Sequence, residues 1–145
     1  KLHLVGKLQT NKVKHAIPLF DYIHSLDNTK LAEKISKEQD KKLIKPKIFI
    51  QINIGSEVQK SGIEIQNLEN FYQICTKELK LNIIGLMCLP PNEDNPAIYF
   101  SKMLDMSNLI QSKDLSMGMS NDYLEAVKFK STFLRIGSKI FGSRD

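Results

Sequence analysis

The sequence predicts a parallel α/β fold, and three observations carry that prediction. Six short strand-like apolar runs recur along the 145 residues. Helical patterns stand between them, joined by short connections with no repeat of fixed period. Several of the runs are apolar throughout, as strands covered on both faces are. An open doubly wound sheet and a (β/α)8 barrel both satisfy this pattern, and six strands is two short of a closed barrel.

The elements follow in order. "LHLVG" at 2–6 and "YIHSL" at 22–26 read as the first two strands. Asp27 or Asn28 can cap the helix "TKLAEKISKEQDKK", which turns Leu31 and Ile35 inward. "IFIQINI" at 48–54 is the third strand. In "QNLENFYQICTKELK" the residues Leu68, Phe71, Tyr72, Cys75 and Leu79 recur at helical spacing, a stripe made to pack on a sheet. "NIIGLMCL" at 82–89 is the fourth strand. The next helix opens near Pro96, a good first-turn residue, and carries Tyr99, Met103, Met106 and Ile110 on one face. "LSMG" at 115–118 is the fifth strand, Ser120 is a candidate N-cap for "NDYLEAVKFK", and "FLRIG" at 133–137 is the sixth strand.

Composition narrows the class. A chain of this length, 41% hydrophobic, buries one substantial core, so residues 1–145 are expected to form a single domain. With no apolar run of membrane-spanning length and no signal-peptide order of residues, the expectation is a cytoplasmic protein without a membrane partner. Cys75 and Cys88 lie in apolar surroundings without CxxC spacing and read as reduced core residues. The net charge of +5 comes from lysines scattered over helix faces, with no aromatics gathered beside them. That is a solvated surface, and no nucleic-acid partner is expected.

Two turns could carry chemistry. "LSMGMS" and "RIGSKIFG" each place small residues, glycine and hydroxyls directly after a strand, where backbone N–H groups can approach an anion. In barrels, a phosphate commonly sits between the last two strand ends, at the start of a short extra helix. Arg135 alternates with Leu134 and Ile136, so if those two face the helices, Arg135 points into the barrel. It then needs a partner, and a salt bridge to Glu57 or Glu125 is the structural alternative. His3, within the first strand, reads as a hydrogen-bonded core histidine. No second His or Cys stands at metal spacing, so no metal is expected. GxGxxG, GxxxxGK[ST] and GxSxG are absent, which removes dinucleotide, P-loop and α/β-hydrolase readings.

Taken together, "HLVGKLQTNK", "NIGSEVQKSG", "GLMCLPP", "LSMGMSNDYLEA" and "STFLRIGSKIFGSRD" resemble the pyridoxal-phosphate homeostasis protein family, related to the N-terminal domain of alanine racemase. The five blocks run in family order from residue 3 to residue 144. The resemblance implies a (β/α)8 TIM barrel of the alanine racemase N-terminal type, with about six strand-helix units present and the first strands missing. It implies pyridoxal 5′-phosphate as cofactor, with Ser116, Gly137 and Ser138 holding the phosphate. Arg135 would face the pyridine nitrogen, and Ser120 and the backbone around Met117 would be close neighbours. The family's Schiff-base lysine and its "GENY"-like block would lie upstream of Lys1, and Lys7 and Lys12 belong to a later block. Lys130 stands where relatives usually have Gly.

An arginine can only donate to the ring nitrogen, which leaves the ring a weak electron sink. That suits a non-catalytic cofactor carrier in vitamin B6 homeostasis, with pyridoxal-phosphate-dependent apoenzymes as possible recipients. The alternative is a racemase-like enzyme, which would need a lysine and a base on the opposite ring face.

Overall fold

The computed structural model describes residues 1–56, 61–91 and 95–142. Its strands are β1 (His3–Leu4), β2 (Tyr22–Leu26), β3 (Lys47–Ile52), β4 (Ile83–Cys88), β5 (Asp114–Met119) and β6 (Phe133–Arg135). They form one sheet in sequential order, β1 to β6, with every neighbouring pair parallel. Parallel neighbours in sequential order, joined by crossovers of the one hand that parallel sheets favour, bring the helices to one face and leave the other to enclose an interior. The main helices are α1 (Val13–Ala16), α2 (Thr29–Lys42), α3 (Leu68–Gln73), α4 (Pro96–Leu109), α5 (Tyr123–Lys128) and α6 (Ser138–Phe141). Among the described residues, no helix is long and apolar enough to cross a membrane.

The sheet curls. Laid flat, β1 and β6 would stand roughly 24 Å apart, five strand spacings. Instead the ring of Phe133 on β6 lies 5.9 Å from that of His3 on β1 and 5.5 Å from that of Tyr22 on β2. The inner faces of the two outermost strands therefore meet, as in a barrel wall with its remaining strands left out of the sheet.

Alternation along β3 separates the two faces. Ile48, Ile50 and Ile52 join Leu86, Cys88, Leu115 and Met117 in the core beneath the helices, against Leu31, Ile35, Phe71, Cys75, Phe100 and Met103. Phe49 and Gln51, buried but outside that cluster, take the opposite parity and face the interior. The strand reads as nearly continuous apolar sequence because both faces are covered.

The predicted caps hold in part. Asn28 caps α2, its Oδ1 accepting from the Leu31 N–H at 2.8 Å, and Asn95 caps α4 ahead of Pro96 by accepting from the Ala97 N–H at 3.0 Å. Ser120 does not cap the fifth helix. Asp122 occupies the cap position, and Ser120 is drawn instead to the turn after β6. The helix expected to run on to Lys80 changes winding after Gln73 into a π turn over Ile74–Glu78. Thr76 Oγ1 donates to the Tyr72 carbonyl at 2.7 Å there, a side-chain bond that competes with the regular ladder.

Candidate functional site

The inner face carries a connected set of polar side chains where a packed apolar layer could have stood. His3 Nδ1 lies 3.0 Å from His24 Nε2, and His24 Nδ1 lies 2.8 Å from Ser116 Oγ. Arg135 Nη1 donates to the same Ser116 oxygen at 2.7 Å, and its Nη2 donates to the Cys88 carbonyl at 2.8 Å. His24 and Ser116 are buried, so these bonds form away from water, where they are strong and costly to leave unmade. Burial, then the charges of His3 and Arg135, pull the His24 imidazole down to about 4, which keeps it neutral near pH 7. Burial likewise lowers the Arg135 guanidinium, which stays charged.

Arg135 thus points inward, as its parity predicts. Its partners are a hydroxyl and a backbone carbonyl, not a carboxylate: Glu125 pairs with Lys128 at 2.6 Å, and Glu57 lies outside the described residues. An arginine supplies five N–H donors, and these two bonds leave others over.

The rim is built by the ends of β5 and β6. Ser120 Oγ accepts from the Gly137 N–H at 3.2 Å and the Lys139 N–H at 3.3 Å, tying the turn after β5 to the start of α6. Gly137 and Ser138 are exposed at that start, and a Cβ added at Gly137 would meet nothing within 4 Å. No packing demand inside the fold keeps that position small. Gly118 is different: its φ is +94°, and a Cβ there would come within 2.6 Å of Ala126 Cβ. The glycine of "LSMGMS" serves the packing of α5 on β5, not the approach of an anion.

Ser120, Gly137, Ser138 and Arg135 are therefore brought together at the C-terminal ends of the last two strands. Ser116 is not at that rim, and Arg135 reaches inward to it. Ser116 sits on β5 below the rim, 0% exposed, with its oxygen taken up by His24 and Arg135. Met117 is equally buried, its side chain in the helix-side core and its carbonyl accepting from Ser131 Oγ at 2.7 Å. At the ends of β1, β3 and β4, a cleft of about 320 Å3 is lined by Gly6, Lys7, Gln51, Asn53, Ser61 and Leu89, so Lys7 stands at the C-terminal end of the sheet.

The residue sequence reasoning missed is His24, hidden in "YIHSL" as one letter of a strand. Its signal was parity. Parallel register places His3 opposite Tyr22, so the two histidines fall on the same face of adjoining strands.

The sequence profile described as alanine racemase, N-terminal domain matches residues 1–145. The chain belongs to that family. A pyridoxal phosphate homeostasis protein of Aquifex aeolicus is 36% identical over 151 residues, an alignment covering 98% of this chain and 66% of the relative. The chain thus spans just under two thirds of that protein's length. PipY of Synechococcus elongatus superposes with TM-score 0.90 at 30% identity without pyridoxal phosphate, covering 97% of this chain and 70% of PipY. Its form with pyridoxal phosphate bound gives 0.88 at 29% identity, covering 97% and 69%. Alanine racemase of Corynebacterium glutamicum, at 14% identity, covers 94% of this chain and 40% of its own, and its TM-score of 0.71 shows the shared barrel fold. Within the family, the six strands here correspond to an incomplete alanine-racemase-type barrel.

Proposed function

We propose that this chain binds pyridoxal 5′-phosphate at the C-terminal ends of β5 and β6 and acts as a cofactor-holding protein in vitamin B6 homeostasis. The observation that carries this is the state of Arg135: an inward guanidinium meeting only neutral acceptors, two residues before an open Gly137–Ser138 turn. Relatives named for pyridoxal phosphate homeostasis, and PipY with that molecule bound, support it.

The residues fit such a ligand. The Ser138 hydroxyl and peptide N–H, with Gly137 and Ser120, suit the phosphate, where peptide dipoles favour negative charge. Ser116 serves one step removed, as an acceptor for Arg135. Arg135 would supply a permanent donor to the ring nitrogen, which would leave that nitrogen unprotonated. When bound, pyridoxal phosphate supplies an electrophilic carbonyl and an electron-withdrawing ring, and the arginine keeps that withdrawal weak. Holding the cofactor is favoured over carbanion chemistry. Delivery to pyridoxal-phosphate-dependent apoenzymes in the cytoplasm is the finer part of this proposal, and the two free, buried cysteines suit a reducing compartment.

Equilibrium dialysis against pyridoxal phosphate and against pyridoxal tests it. Saturable binding that needs the phosphate is expected, and Ser138→Asp is expected to abolish it by charge repulsion at the turn. No binding at high protein concentration, or full affinity in the Ser138→Asp protein, would overturn the assignment.

A further inference from the structure

We infer that His24 is a positioning residue for the ring-nitrogen contact: its Nδ1 accepts a hydrogen bond from the Ser116 hydroxyl and so turns that oxygen's lone pairs toward Arg135 as an acceptor. This rests on the pyridoxal phosphate site proposed above.

Counting hydrogens decides the direction of the chain. Arg135 can only donate, so its 2.7 Å contact places a proton on one Ser116 lone pair. The hydroxyl's own proton must then leave in another direction. His24 Nδ1, at 2.8 Å, is its one acceptor among the described residues. If Nδ1 carried a proton instead, two donors would converge on Oγ, and the serine proton would be stranded in a site with no exposure. His24 Nδ1 is therefore the bare nitrogen, and Nε2–H donates to His3 Nδ1 at 3.0 Å.

The rings are held to this arrangement. His24 stacks on Phe49, centroids 4.4 Å apart and planes 20° off parallel. His3 stacks on Tyr22 at 4.1 Å and 5°. A ring flip that exchanged Nδ1 for carbon would break both hydrogen bonds of His24 together. Tyr22, His3 and Arg135 are the titratable or charged groups facing His24 across the interior, and among the described residues none of its contacts is a carboxylate. Arg135 is thus oriented by neutral hydrogen-bond acceptors, with the Asp122 carboxylate acting on it through charge alone, and it stays the permanent donor that an unprotonated ring nitrogen requires. A purely structural histidine would need no such direction of donation.

Nitrogen NMR of the imidazoles in the unsubstituted protein at pH 7 reads the tautomer directly. Nδ1 of His24 is expected bare and Nε2 protonated, and the opposite tautomer would overturn the inference. Two variants test the consequence. His24→Phe keeps the stacking shape but offers no acceptor, and is expected to weaken pyridoxal phosphate binding about tenfold, the scale of one lost hydrogen bond. His24→Asn places Oδ1 where Nδ1 stood and is expected to recover most of that loss. Inorganic phosphate, measured by competition, is expected to bind all three proteins equally. Unchanged pyridoxal phosphate affinity in His24→Phe, or parallel loss of phosphate affinity, would overturn the role of His24 while leaving the cofactor site standing. An unsubstituted protein that binds inorganic phosphate but not pyridoxal phosphate would remove the site and this inference together.

Discussion

The two faces of the curled sheet come from the same strands and are held by different physics. On the helix side, Ile48, Ile50 and Ile52 pack with Leu86, Leu115 and the helix stripes in a continuous apolar layer. Stability there is the sum of many small, exchangeable burials. On the inner side, one step along each strand, Phe49 shares its layer with His24, Ser116 and Arg135, and each polar group depends on the next. Removing one partner there strands another. The comparison teaches that a strand's parity can divide labour: one register builds the fold and the other builds a site.

Truncation on the helix side should hurt the fold and spare the site. Ile50→Ala, at a position with 0% exposure, is expected to cost about 3 kcal/mol in urea unfolding. The ratio of pyridoxal phosphate to phosphate affinity should stay unchanged, and a shifted ratio would mean the faces are not independent.

Acid should act on the inner face. The folded His24 titrates at about 4 against an ordinary 6.5, so between those values the unfolded chain binds a proton that the folded one refuses. Stability contributed by the neutral buried ring is complete above pH 6.5, falls as pH drops toward 4, and levels off below. The span is about 3 kcal/mol for the unsubstituted protein. Urea midpoints at pH 7 and 4.5 should show that drop shrinking in His24→Asn, and equal slopes for the two proteins would place the acid sensitivity elsewhere.

A smaller effect links the members of the network. Arg135 is one of the charges that lower His24, so Arg135→Gln should move the His24 titration back toward its ordinary value in an NMR pH series. No movement would mean that burial alone sets it. Smallest is a control outside both faces. Lys130 holds φ at +61° in the turn between α5 and β6, a conformation that costs a side-chain-bearing residue and not glycine. Lys130→Gly is expected to raise stability by about 1 kcal/mol with binding unaltered, and a loss of stability would show that the lysine side chain matters more than its backbone.

Wherever local chemistry decides, the sequence was readable. β2 runs over Tyr22–Leu26 and α2 over Thr29–Lys42, as alternation, capping and periodicity indicate. The inward turn of Arg135 followed from parity with Leu134 and Ile136. Ser120 was harder: a hydroxyl just before a helical stretch looks like a cap, and only the return of β6 beside β5 offers it the Gly137 and Lys139 N–H groups. Ser116 and Ser120 stand as hydroxyls in one short stretch, yet three residues of strand, Met117 to Met119, separate a buried acceptor from a rim group.

By itself, the sequence determined the parallel α/β class, the helix stripes and the family blocks, because these depend on periodicity and on residues near one another in the chain. The tertiary structure alone decided that His3, His24, Ser116 and Arg135 form one chain of hydrogen bonds. Their sequence separations run from 19 to 92 residues between bonded neighbours, and contacts at such range exist only once the sheet has curled to bring β1, β2, β5 and β6 around a common interior.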